Sequence, residues 1–107
     1  MPTEASVIVV NYNGGRAAVA NLKDLAAAVA GAGWELVVVD NCSTDGSRDA
    51  IAREVGGARL VCEPENRGFA SAVNRGLDAA SGDALVVLNA DVVPAEGALP
   101  ALVEAVL

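Results

Sequence analysis

Hydrophobic positions fall into two alternating kinds of run: short Val-rich blocks, and longer Ala-rich stretches in which larger apolar residues recur at helical spacing. The short blocks, Ser6–Val10, Glu35–Val39, Arg59–Cys62 and Ala84–Leu88, predict β-strands. The first, second and fourth are continuous apolar runs, as expected of strands buried on both faces. Between the first two, Val19, Leu22, Leu25 or Ala26, and Val29 mark one buried helical stripe that ends at Gly31 and Gly33. A shorter helix is expected from Ser47 as N-cap through Ile51 to Val55, and a third from Gly68 to Ala80 with Phe69, Val73 and Leu77 on its core face. Ala95–Leu107 reads as a last helix carrying Leu99, Leu102, Val103 and Val106 on one face, with Pro94 just before or at its first turn. Regular alternation of strand and helix is the pattern of β-α units feeding a mostly parallel sheet, here of four strands.

Composition agrees with this and narrows it. In 107 residues there is room for one domain, and with one Phe, one Tyr and one Trp the core must be built from Val, Leu, Ile and Ala. Seven basic residues against fourteen acidic ones leave a net charge of −7. The arginines are spread along the chain, which argues against a nucleic-acid partner. A chain this acidic can hold an anionic phosphate compound through a divalent cation or through backbone N–H groups. The sequence contains no His, so Ser-His-Asp and Cys-His nucleophile systems and the usual zinc sites are excluded. Cys42 and Cys62 do not form a disulfide framework, and Cys62 reads as a small hydrophobe in an apolar run. The start, MPTEASVIVV, has neither a basic n-region nor a long apolar run, so no signal peptide or membrane segment is expected and a cytoplasmic setting is the default.

Ligands of open α/β sheets bind beyond the carboxyl ends of the strands, so the residues after each strand are the candidate chemistry. They are Asn11-Tyr12-Asn13-Gly14, Asp40-Asn41-Cys42-Ser43-Thr44-Asp45-Gly46, Glu63-Pro64-Glu65-Asn66-Arg67-Gly68 and Asn89-Ala90-Asp91. Taken singly, each turn is accounted for by strand-end and cap chemistry. Four of them at one sheet edge point to a site. Dinucleotide and P-loop fingerprints are absent, and Cys42 and Ile51 fall where a calcium loop needs oxygen ligands.

The run Val7-Ile8-Val9-Val10-Asn11-Tyr12-Asn13, the run Val37 to Ser47, the segment Asn66-Arg67-Gly68-Phe69-Ala70 with Asn74 and Gly76, and Leu88-Asn89-Ala90-Asp91-Val92 together resemble family 2 glycosyltransferases in order and spacing. The resemblance covers nearly the whole chain. It implies a Rossmann-like GT-A three-layer sandwich and a single nucleotide-diphospho-sugar-binding domain over residues 1–107, the N-terminal part of a larger GT-A domain. Asn11 and Tyr12 would then contribute backbone or ring contacts to base and ribose, Asp40 would accept a hydrogen bond from uracil or thymine N3–H, and Asn41 would support it. Gly68 would permit close backbone approach to the diphosphate. Arg67 is either a phosphate or base contact or an ordinary solvated cation, and Asn74 would brace the loop after the fourth strand.

The family's Asp-X-Asp signature reads Asn89-Ala90-Asp91 here. Asp91 is the implied ligand of Mg2+ or Mn2+, while Asn89 keeps a ribose hydrogen bond without adding charge. An Asn-X-Asp version also resembles a rhamnosyltransferase-like branch, where the donor is often a dTDP sugar. The implied reaction is metal-assisted transfer from a UDP- or dTDP-sugar to a glycan or lipid acceptor, in cell-wall or polysaccharide synthesis, at the inner face of the membrane in a full-length protein. The family's base and acceptor segments follow the Asp-X-Asp turn, so no catalytic base is nominated. Glu96 and Glu104 read as amphipathic helix surface. The chain is therefore expected to be a truncated domain, inactive by itself. The alternative is a non-catalytic module that binds nucleotide or pairs with another chain as a homodimer.

Overall fold

The computed structural model describes residues 4–92, 94–95 and 97–107. Strands β1 (Ala5–Asn11), β2 (Glu35–Asp40), β3 (Arg59–Cys62) and β4 (Ala84–Asn89) alternate with helices α1 (Gly15–Gly31), α2 (Ser47–Glu54), α3 (Phe69–Ala79) and α4 (Ala98–Val106). All pairings are parallel, in the order β3-β2-β1-β4. The α/β layered fold expected from the sequence is therefore present, a four-stranded parallel sheet flanked by four helices.

Side chains alternate across a strand, so each Val-rich run supplies two faces at once. Val7, Val9, Leu36 and Val38 meet the α1 stripe of Val19, Leu22, Leu25 and Val29, together with Ile51 of α2. Ile8, Val10, Val37 and Val39 meet Ala72 of α3 on the other face. Helix α3 approaches closely because its buried positions are only Ala72 and Gly76. A Cβ at Gly76 would collide with the Ile8 Cγ2 methyl and lie 3.2 Å from Val39 Cγ2.

Several expectations are corrected. Among the described residues strand β4 is an edge, with β1 as its one sheet neighbour, and Leu85 is 48% and Val87 39% exposed. Phe69 is not a core residue. It opens α3, where its side chain projects past the sheet, and it is 49% exposed. Only Leu99 and Val103 of α4 are buried, while Leu102 and Val106 face outward. Cys62 is exposed, since β3 is the opposite edge. Ser47 is the first residue of α2 and Gly46, at φ 88°, is its N-cap, because Asp45 rather than Ser47 caps the first turn from outside. Glu104 is exposed on α4, and Glu96 lies outside the described residues.

Candidate functional site

The order β3-β2-β1-β4 makes successive connections diverge from β1, toward β2 on one side and β4 on the other. Such a switch point leaves a crevice beyond the carboxyl ends of the two strands that part. A cavity of about 530 Å³ lies there, lined by Val10, Asn11, Tyr12, Gly14, Asn41, Asn66, Gly68, Phe69, Asn89, Ala90 and Asp91. A second, apolar hollow of about 280 Å³ is lined by Leu25, Val29, Trp34, Val92 and Leu99.

The turns after β1 and β2 are zipped into one block. Asn11 Nδ2 donates to Asp40 Oδ1 at 2.9 Å and to Ser47 Oγ at 3.0 Å. Asn13, in the left-handed region at φ 50°, accepts the Thr44 N–H on its Oδ1 at 2.7 Å and donates its own N–H to Ser43 Oγ at 3.0 Å. Asp45 takes the Ser47 hydroxyl and N–H on one oxygen and the Gly15 N–H on the other. These bonds, the Ser47 hydroxyl foremost, hold the Asp45 carboxyl below the usual aspartate range. At the opposite end of the sheet burial raises the Glu35 carboxyl, but hydrogen bonds from the Ser6 hydroxyl and from Ser81 together outweigh it and leave it lowered.

This block places the expected site residues differently. Asp40 is 0% exposed and does not line the cavity. Its carboxylate points inward and accepts from Asn11 Nδ2, from Ser43 Oγ at 2.7 Å and from Ser43 N–H at 2.9 Å. Asn41, the next residue, does line the cavity, and its backbone N–H donates to Asn11 O at 2.9 Å. Strand alternation accounts for the exchange, since adjacent residues point to opposite sides. Asn11 reaches the cavity but spends its amide nitrogen on the block, and its Oδ1, buried without a hydrogen-bond partner among the described residues, lies 2.5 Å from where a Gly14 Cβ would stand. Tyr12 stands at the rim, 51% exposed.

On the third turn, Arg67 is absent from the lining and pairs with Glu65 at 2.6 Å. Gly68 lines the cavity at φ 95°, ψ 168°, a conformation reserved for glycine. Its N–H is already donated to Asn66 Oδ1 at 2.9 Å and so does not face a ligand. Asn74 is exposed, and among the described residues no hydrogen bond joins it to the turn after β4. Asn89 and Asp91 both line the cavity, and Asp91 is the one charged residue that does so among the described residues.

Sequence reasoning gave Phe69 to the core and named Asn66 within the third turn without a role of its own, whereas both line the cavity. For Phe69 the helical spacing with Val73 and Leu77 was misleading, and its place directly after a helix-opening glycine was the usable signal. For Asn66 the signal was the Asn-X-Gly pattern, in which an Asn side chain accepts from the backbone two residues on.

Among the described residues no three His, Cys, Asp or Glu side chains gather into a cluster. A single carboxylate suits Mg2+ or Mn2+ only where substrate oxygens and water complete the shell, which is how such ions bind diphosphates. Without a cation Asp91 would repel that diphosphate, so the residues fit a ligand-completed site.

A family model described as glycosyl transferase family 2 matches residues 6–107. The chain is 34% identical over 96% of its length to a dolichol-phosphate mannosyltransferase of Pyrococcus furiosus and spans 30% of that protein. It is 41% identical over 54% of its length to a putative teichuronic acid biosynthesis glycosyltransferase, TuaG, of Bacillus subtilis, spanning 24% of it. Among solved structures, the mannosyltransferase PcManGT of Pyrobaculum calidifontis in complex with GDP-Man and Mn2+ superposes with a TM-score of 0.71 at 31% identity, covering 99% of this chain and 33% of that one. TarS 1-349 of S. aureus in complex with UDP-GlcNAc gives 0.70 at 28% identity, over 83% of this chain and 27% of that one.

Proposed function

The chain belongs to glycosyl transferase family 2, and from that premise we propose that it is the donor-binding part of an enzyme that transfers a sugar from a nucleoside diphosphate to a glycan or lipid acceptor. The observation that carries this is the cavity at the β1/β4 switch point, which gathers Tyr12, Asn41, Gly68, Phe69, Asn89 and Asp91 from all four strand-end turns. The half-exposed rings of Tyr12 and Phe69 offer a nucleobase apolar surface, and Asn41 offers it a polar edge. Asn89 can hydrogen-bond a ribose hydroxyl.

Asp91 would hold Mg2+ or Mn2+ together with the diphosphate. An ion held there would supply neutralisation of the charge that builds on the leaving diphosphate. The protein's own contribution is positioning: the zipped block fixes the turns after β1 and β2, and Asp91 follows the β4 end at a defined register, with Val10 opposite Asn89. GDP-Man and UDP-GlcNAc in the similar structures support a hexosyl donor, and the Asn89-Ala90-Asp91 turn keeps a dTDP-rhamnose-type donor in view. The chain spans about a third of its relatives' length, so acceptor and linkage belong to the proposal for the whole protein.

Calorimetric titration of the chain with UDP, dTDP and GDP, each with and without Mn2+, tests this. Binding of at least one nucleotide, strengthened by Mn2+ in the wild type and not in Asp91→Ala, is expected. No binding to any, or Mn2+ enhancement unchanged in Asp91→Ala, sinks it. A second reading, a nucleotide-binding module that pairs with another copy, draws on the exposed Leu85 and Val87 of β4. A stable dimer that Val87→Lys converts to monomer would favour it. Among the described residues no helix is long and apolar enough to cross a membrane.

A further inference from the structure

Asn41 carries a hydrogen-bonding asymmetry that its own environment does not explain. It is 4% exposed, it lines the cavity, and its Oδ1 is buried with no hydrogen-bond partner among the described residues. Its Nδ2 is fully used, donating to Asn66 Oδ1 at 3.0 Å and to the Gly68 carbonyl at 3.3 Å. Turning the amide over would point Oδ1 at two acceptors, so the orientation is locked. Asn66 accepts the shorter of the two bonds, and its own amide is set by the Gly68 N–H donating to its Oδ1 at 2.9 Å. The chain of polarity runs from Gly68 N–H to Asn66 Oδ1, from Asn41 Nδ2 back to the same oxygen, and ends on an Asn41 oxygen that needs a donor. A buried acceptor without a partner is costly, and native structures rarely keep one without a reason.

We propose that Asn66 is a positioning residue that fixes the Asn41 amide so that the cavity offers a nucleobase an acceptor and not a donor, and so selects bases that carry a ring N–H on their pairing edge. This rests on the donor-binding reading above. Uracil, thymine and guanine carry such an N–H, whereas cytosine and adenine present a bare ring nitrogen that Asn41 Oδ1 repels. Because Oδ1 is buried, the base edge must press into the cavity wall to meet it. A base with the wrong polarity would then leave two acceptors facing each other out of water, and a site built around a hydrogen bond rejects such a ligand strongly.

The test compares the ring N–H member of two pairs, UDP against CDP and GDP against ADP, by calorimetric titration with Mn2+. Wild type is expected to favour the N–H member of whichever pair binds by tenfold or more. Asn66→Asp keeps an oxygen for both Gly68 N–H and Asn41 Nδ2 and should preserve that ratio. Asn66→Ala leaves the Asn41 amide held only by the longer bond to the Gly68 carbonyl, at 3.3 Å, and should cut the ratio at least fivefold. Adding Asn41→Asp to Asn66→Ala presents acceptors in either orientation and should restore it, a rescue that a merely structural role for Asn66 would not produce. An undiminished ratio in Asn66→Ala with wild-type circular dichroism, or no rescue by Asn41→Asp, overturns the positioning role while leaving nucleotide binding intact. Should Asn66→Ala fail to fold, Asn66→Ser with the same second substitution carries the comparison. Wild type that binds none of the four nucleotides overturns the donor-binding reading and this inference with it.

Discussion

Replacing Asp40 by Ala separates two roles for this residue, a contact to the base and an internal fastener. In the structure its carboxylate is 0% exposed and accepts three hydrogen bonds, from Asn11 Nδ2, Ser43 Oγ and Ser43 N–H. Bonds to a charged acceptor contribute about 1.5–3 kcal/mol each, so their gross loss would be several kcal/mol. Two effects reduce it. Asn11 Nδ2 retains Ser47 Oγ at 3.0 Å, and the half-buried Ser43 hydroxyl can turn to water, leaving the Ser43 N–H as the main orphan. Deleting the carboxylate also removes the cost of burying a charge. The expected net loss is about 2–4 kcal/mol, which for a domain near this size lowers Tm by roughly 10–25 °C. Urea unfolding followed by circular dichroism measures it, alongside nucleotide titration well below the variant's midpoint. An intact protein, destabilised by less than about 0.5 kcal/mol, that no longer binds nucleotide would refute the reasoning and return Asp40 to the ligand.

Gly76→Ala should destabilise, because the new methyl meets the Ile8 Cγ2 and stands 3.2 Å from Val39 Cγ2, both on stiff β-branched side chains. Overpacking of about 1–3 kcal/mol outweighs the roughly 1 kcal/mol that Ala gains over Gly in a helix. A raised melting temperature contradicts this, and Gly76→Ala should cost less when introduced into an Ile8→Ala background than into wild type. The pH response has a definite sign. With the folded Asp45 carboxyl held low by Ser47 and Gly15, its contribution is complete above the ordinary aspartate value of about 3.9 and disappears as pH falls through the lower folded value. Urea midpoints measured from pH 6 down to pH 3 should therefore drop more steeply in wild type than in Asp45→Asn, and parallel curves would disprove the link.

Much of the molecule is legible in one dimension. The strands β1 and β2 follow from continuous Val-rich runs, which burial on both faces requires, and α1 from the recurrence of Val19, Leu22, Leu25 and Val29, because burial of one helix face imposes a period of 3.6 residues. The four strand-end turns follow as well, since a parallel sheet sends every carboxyl end to the same edge. Three things were decided only in three dimensions. Strand β4 has the apolar composition of a central strand, yet order in the sheet is a property of pairing partners far apart in the chain, and it leaves Leu85 and Val87 in the open. Phe69 keeps helical spacing with Val73 and Leu77 but sits in the first turn, beyond the sheet surface its helix covers, and so becomes a wall of the cavity. Asp40 and Asn41 are both polar residues at one strand end. Which of them lines the cavity was decided by the alternation of the strand together with the donors waiting on the inner side, Asn11 from one turn and Ser43 from another. A sequence lists the polar groups available to a site, but the distribution of hydrogen-bond partners in space determines which of them remain free to use.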